Sequence, residues 1–106
     1  MLVEFWGPKG LDDEDMIRSS LMRAIEVSGC QLLGLQTHKF QPQGVTAVAL
    51  LAESHVSLHS WPEHDFLALD IFTCGASSQA YDLLRSLHDD LAPLKMEFEE
   101  VLRGKR

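Results

Sequence analysis

Within residues 50–75, "LLAESHVSLHSWPEHDFLALDIFTCG", an apolar run stops at Glu53-Ser54-His55 and a second polar group, His59-Ser60-Trp61-Pro62-Glu63, follows at once. A strand-like run then ends on Cys74. A carboxylate, a hydroxyl, imidazoles and a thiol gathered between two apolar strands have no folding rationale of their own. Turns favour Gly, Asn and Asp, and His and Trp are not selected for turn geometry. For a lone His or Ser a turn would still be the sufficient explanation, and it weakens as the polar residues accumulate.

Three chemistries use such residues. Zinc binds imidazole and thiolate, and His55, His59, His64 and Cys74 supply both. Residues four apart on a strand share a face, as His55 and His59 would. The short Cys-x-x-Cys and His-Glu-x-x-His spacings are absent, however. Hydrolysis through Ser54, a His and an acid is the second possibility, but the glycines that flank a nucleophile elbow are missing. The third employs the whole cluster. A serine hydroxyl can attack the preceding carbonyl, here that of Glu53, to give an ester. A base then removes the Ser54 Cα proton, the ester is lost by β-elimination, and the chain is cut. Hydrolysis of the dehydroalanine leaves a pyruvoyl group at the new N-terminus. Its ketone forms a Schiff base with a substrate amine and accepts electrons as CO₂ leaves. Such a site needs a hydroxyl donor, an imidazole base and a proton donor for the product. Thr46, His59 and Cys74 are of those three types.

The elements that must position these groups follow from pattern. "LVEFW" (2–6) reads as a strand and residues 12–29 as a helix, with acids at the positive N-terminal end and Gly29 at the C-terminal cap. Ile17, Leu21, Ala24, Ile25 and Ser28 share one face at helical spacing. Residues 30–40, 45–52 and 66–73 read as strands, with 41–44 as a turn between the first two. Residues 77–92 form a second helix, capped by Ser77 or Ser78 and stopped by Pro93, and 94–102 a last strand with one wet face. The predicted order is β-α-β-β-β-α-β. Two helices cover one face of a mainly antiparallel sheet, giving a two-layer α/β sandwich of the α+β type whose other face is buried in a homodimer.

The 106 residues suit one domain, 45% of them hydrophobic and 24% charged, as in a soluble globular protein. A net charge of −7 with no Lys/Arg-rich block argues against nucleic acid as a partner. No apolar stretch is long enough to span a membrane, the first residues lack the pattern of a signal peptide, and two cysteines make no disulfide framework. The expectation is a cytoplasmic protein with no membrane partner.

"ESHVSLHSWPE" followed by "DIFTCG" resembles the prokaryotic S-adenosylmethionine decarboxylase proenzyme family. "HKFQPQGVTAVALLAESH" resembles the family's strand-turn-strand before its cleavage site, and "LVEFWG" its first strand. The resemblance implies self-cleavage at Glu53-Ser54 into chains 1–53 and 54–106, which stay together with active sites at a homodimer interface. It implies a pyruvoyl cofactor made from Ser54, with no metal and no pyridoxal phosphate, and a small-molecule substrate whose product supplies aminopropyl groups for spermidine synthesis. By position, His59 is the processing base, Thr46 assists processing, and Cys74 is the proton donor. Glu63 binds the ribose hydroxyls and Phe40 stacks on adenine, with Trp61 the other aromatic assigned to substrate binding. His38, His64 and His88 are left as structural or surface residues.

The segment "HDFLALD" (64–70) departs from the family pattern at Asp65 and Leu67. An acid near the pocket would suit a guanidinium or ammonium head, so decarboxylation of arginine or ornithine is the alternative. A non-catalytic partner subunit is the rival from another class, against which Ser54, His59 and Cys74 all stand. One geometric tension accompanies the resemblance. On a straight strand Ser54 and His59, five residues apart, face opposite ways.

Overall fold

The computed structural model describes residues 1–52, 54–73 and 77–103. In chain order the elements are β1 (Leu2–Trp6), α1 (Glu14–Ser28), β2 (Leu32–Lys39), β3 (Val45–Leu51), β4 (Ser54–Trp61), a 3-10 turn (Pro62–His64), β5 (Phe66–Phe72), α2 (Ser77–Leu91) and β6 (Lys95–Glu99). The strands form one six-stranded sheet in the order β2-β3-β4-β5-β1-β6. Every neighbouring pair is antiparallel.

The expected two-layer architecture holds, and one element was missing from it. Residues 54–61, whose polar groups read as loops, form a full strand paired on both sides. Val56 and Leu58 point into the core, whereas His55, Ser57, His59 and Trp61 alternate outward. Ser60 breaks the alternation in composition only, being polar at an inward position with its hydroxyl bonded. The element order is therefore β-α-β-β-β-β-α-β.

Local chemistry sets the helix ends. Asp13 caps α1 by accepting the Met16 N–H at 3.0 Å, Glu14 and Asp15 occupy the first turn, and Gly29 closes the helix at φ 79°. α1 buries Ile17, Leu21, Ala24 and Ile25, and α2 buries Ala80, Leu83, Leu84, Leu87 and Leu91. These stripes pack on Val3, Phe5, Ala47, Ala49, Val56, Leu67, Leu69 and Ile71, the inward half of the central strands. An Arg23–Asp90 ion pair at 2.8 Å links the helices at the surface.

Both helices lie on one side, so the opposite sheet face is uncovered. It presents Leu2, Trp6, Val48 and Leu50, which are 49%, 38%, 38% and 56% exposed. Among the described residues no helix is long and apolar enough to cross a membrane.

Candidate active site

The strand registers lay out the uncovered face as rows. One row runs Glu97, Glu4, Ala68, His59, Thr46, His38, and the next runs Glu99, Leu2, Asp70, Ser57, Val48, Gln36. A broad groove of about 950 Å³ follows them, with Thr46, Ser57, His59, Asp70 and Glu4 in its lining. His59 sits at its centre because it pairs directly with Thr46 on β3 and with Ala68 on β5. The small methyl of Ala68 leaves room on that side of the imidazole.

Thr46 Oγ1 and His59 Nδ1 are hydrogen-bonded at 2.5 Å. This contact fixes the imidazole plane. In the tautomer whose Nδ1–H donates to Oγ1, the lone pair lies on Nε2, the nitrogen then able to take up a proton. Aromatic rings hold the imidazole from two sides. Trp61 lies 4.3 Å away and Phe40 5.7 Å away, both in edge-to-face arrangement. The aromatic run continues from Trp61 to Phe66 at 5.5 Å, stacked, and from Phe66 to Trp6 at 4.3 Å. Phe40 is 40% exposed, so part of it is accessible from solvent.

The structure thus brings Thr46, His59, Trp61 and Phe40 together on one face. Glu63 stands exposed in the 3-10 turn that directly follows Trp61. Ser54 does not join them. It begins β4, opposite Leu51, while His59 is opposite Thr46 on the same continuous strand. Five strand residues separate their Cα atoms by ~16 Å, and the alternation turns them to opposite faces. Glu53 and Cys74 lie outside the described residues.

The two departures at 65 and 67 resolve structurally. Leu67 is 1% exposed and belongs to the helix-covered core, so it takes no space from the groove. Asp65 adopts φ 54° after the 3-10 turn; its N–H donates to Pro62 O and its carbonyl accepts the Gly7 N–H. Its place in the chain is explained by that turn, since Asp is among the residues that tolerate the left-handed conformation. His55 and His59 share the outer face, yet no three His, Cys, Asp or Glu side chains form a metal-holding group among the described residues.

Pattern reading missed Asp12 and Ser60. Asp12 Oδ1 accepts the Gly44 N–H at 2.8 Å and the Lys39 ammonium at 2.9 Å. Ser60, wholly buried, donates to Leu11 O at 2.5 Å and accepts the Val45 N–H at 3.0 Å. A serine at an inward strand position was the available signal for the second; nothing in spacing marks the first.

The family model for S-adenosylmethionine decarboxylase matches residues 1–104. The chain belongs to the S-adenosylmethionine decarboxylase family. It is 62% identical over 93 residues to the S-adenosylmethionine decarboxylase proenzyme of Prochlorococcus marinus (strain MIT 9211), covering 88% of this chain and 76% of that one. It is 42% identical over 106 residues to the proenzyme of the same name from Methanococcus vannielii, covering 98% and 87%. Its fold matches the crystal structure of the adenosylmethionine decarboxylase from Aquifex aeolicus VF5 with a TM-score of 0.84 at 30% identity, over 99% of this chain and 92% of that one.

Proposed function

We propose that the protein decarboxylates S-adenosylmethionine, after cutting its own chain between Glu53 and Ser54. The decarboxylated product is the aminopropyl donor for spermidine synthesis. The observation that carries this is the Thr46–His59 hydrogen bond at 2.5 Å on the groove lining, with the Trp61 and Phe40 rings against the imidazole. The motif around it belongs to a family whose relatives are named decarboxylase proenzymes.

Processing uses the chain's own groups. The Ser54 hydroxyl attacks the Glu53 carbonyl, and the peptide bond becomes an ester. Thr46 presents a hydroxyl hydrogen-bonded to His59 and is suited to orient that imidazole. Nε2 of His59 takes the Cα proton of residue 54, the ester C–O electrons leave with Glu53 as a new carboxylate terminus, and dehydroalanine remains. Water releases the nitrogen as ammonia and leaves a keto group. Ser54, at the first position of β4, carries the hydroxyl from which a pyruvoyl group would form, and His59 is an imidazole of the type that its formation needs. That group supplies a carbonyl to hold the substrate amine and a sink for the electron pair released as CO₂ departs.

The protein's remaining groups bind and protonate. Cys74 donates the proton that replaces the lost carboxyl. Glu63 accepts hydrogen bonds from both ribose hydroxyls, and Phe40 and Trp61 offer ring faces to adenine. Asp65 and Leu67 are accounted for by the turn and the core, which removes the motive for an amino-acid substrate.

A homodimer completes the site. Within one chain the intact β4 keeps Ser54 and His59 ~16 Å apart. For a second copy laid against the uncovered apolar face to bring its His59 to the Cα proton of residue 54, the first position of β4 must turn toward that face. Exposed Leu2, Val48 and Leu50 support that face as the contact.

The test is release of labelled CO₂ from carboxyl-labelled S-adenosylmethionine, with arginine and ornithine assayed in parallel. Release from S-adenosylmethionine alone is expected. Release only from arginine or ornithine would overturn the assignment.

A further inference from the structure

Phe40 is positioned from outside its own hairpin. It follows β2 and opens the turn to β3, where its N–H donates to Gly44 O at 2.8 Å. Gly44 sits at φ 107°, a conformation that resists any side chain, and a Cβ there would lie 3.3 Å from Ser60 O and 3.9 Å from the Phe40 Cβ. The turn is thus packed directly between the Phe40 side chain and β4.

The loop before α1 reaches across to this turn at Asp12 and to β4 at Leu11. Asp12 Oδ1 accepts the Gly44 N–H at 2.8 Å and the Lys39 Nζ at 2.9 Å. Leu11 O accepts the buried Ser60 hydroxyl at 2.5 Å, and the same hydroxyl accepts the Val45 N–H. Lys39 Nζ also donates to Phe40 O at 3.1 Å, so the Asp12–Lys39 pair brackets Phe40. Both ends of that pair are partly exposed, 46% for Asp12 and 25% for Lys39, and exposed ion pairs add little stability. Asp12 has a further signature of engagement: the Gly44 N–H and the Lys39 ammonium hold its carboxyl below the ordinary range.

We infer that Asp12 is a positioning residue, which through Gly44 and Lys39 fixes Phe40 against His59 and so sets the ring proposed to meet adenine. The inference rests on the proposed role of Phe40 in substrate binding. It adds a residue that touches neither substrate nor the cut bond and yet governs affinity. Asp12 lies 28 positions before Phe40 in the sequence, and only the fold places it at the turn.

The test is a double-mutant cycle on processed, dimer-competent protein, with Asp12→Ala, Phe40→Ala and the double variant. Asp12→Ala is expected to raise KM for S-adenosylmethionine about tenfold, ~1.4 kcal/mol, with kcat and the extent of self-cleavage held. Phe40→Ala is expected to raise KM at least as much, and the double variant no further than Phe40→Ala alone, because residues in one linked unit are non-additive. Asp12→Asn keeps an acceptor for Gly44 N–H and should fall between wild type and Asp12→Ala; it also serves if the alanine variant does not fold. A substrate-independent readout accompanies the kinetics: amide exchange at Gly44 should quicken and the NMR cross-peak between the Phe40 and His59 rings should weaken in both Asp12 variants. Multiplicative effects on KM, or an unchanged Phe40–His59 cross-peak, would overturn the inference. An unchanged KM for Phe40→Ala, with the ring cross-peak abolished by Asp12→Ala, would instead overturn the role of Phe40 and leave Asp12 as its positioner.

Discussion

Strand β4 presents two unlike faces made from alternate residues of one eight-residue segment. Val56 and Leu58 are buried under the helices, and their neighbours Ser57, His59 and Trp61 stand on the uncovered side. The inner set is specified by volume and hydrophobicity, properties that several aliphatic residues share. The outer set is specified by chemistry: an imidazole held by a hydroxyl, with rings on two sides. Folding would therefore tolerate change on the outer face, and function would tolerate conservative change on the inner face. On the proposed function, a strand with this division is a scaffold on one side and a reaction surface on the other.

That division can be broken most severely at His59. His59→Ala is expected to slow self-cleavage by roughly 10²–10⁴-fold, the usual contribution of a general base, with the fold retained by circular dichroism. Co-expression sharpens the claim that the base acts across a dimer. When Ser54→Ala and His59→Ala chains are produced together, the His59→Ala chain should be cut, because its partner still carries an imidazole. If neither chain is cut while each dimerises, the base acts within its own chain.

The inner face should respond in the opposite sense. Leu58→Ala, one residue from His59, and Leu67→Ala in β5 should each cost about 2–5 kcal/mol of stability by denaturant unfolding. Whatever protein remains folded after Leu67→Ala should bind substrate with unchanged KM. A selective rise in KM there would place Leu67 in the groove and contradict its burial under the helices.

Smaller effects belong to the 3-10 turn after Trp61. Glu63→Gln should raise KM for S-adenosylmethionine by an amount corresponding to about 1–3 kcal/mol, the range for hydrogen bonds to a charged acceptor, and leave chain cleavage complete. An unchanged KM would remove Glu63 from the ribose-binding role.

The same two faces differ in how far they could be read from sequence. The helices were legible because Ile17, Leu21, Ala24 and Ile25 repeat at helical spacing and Asp13 and Gly29 are strong end signals. Strands β1, β3 and β5 were legible as short apolar runs. The strand β4 does not stand out in sequence, because its outward residues are mostly polar and its inward Ser60 is polar too, which masks the period-two placement of Val56 and Leu58. Of the site, the types and spacing of Thr46, His59 and Phe40 were visible, and their contacts were not. The Thr46–His59 bond depends on a register thirteen residues apart in sequence, and the Asp12–Gly44 clip depends on tertiary packing. The opposite orientation of Ser54 and His59 was foreseeable from strand geometry alone, and the unbroken β4 pairing sustains it.

On the proposed function this chain makes its own carbonyl catalyst by cutting itself. Intact mass of freshly purified wild-type protein tests it most directly, beside Ser54→Ala, which has no hydroxyl to form the ester. Two fragments are predicted for the wild type, 1–53 and 54–106, the second beginning with a pyruvoyl group and refractory to Edman degradation, whereas Ser54→Ala remains one chain. A wild-type preparation that decarboxylates S-adenosylmethionine and yet shows only the full-length mass would contradict the account.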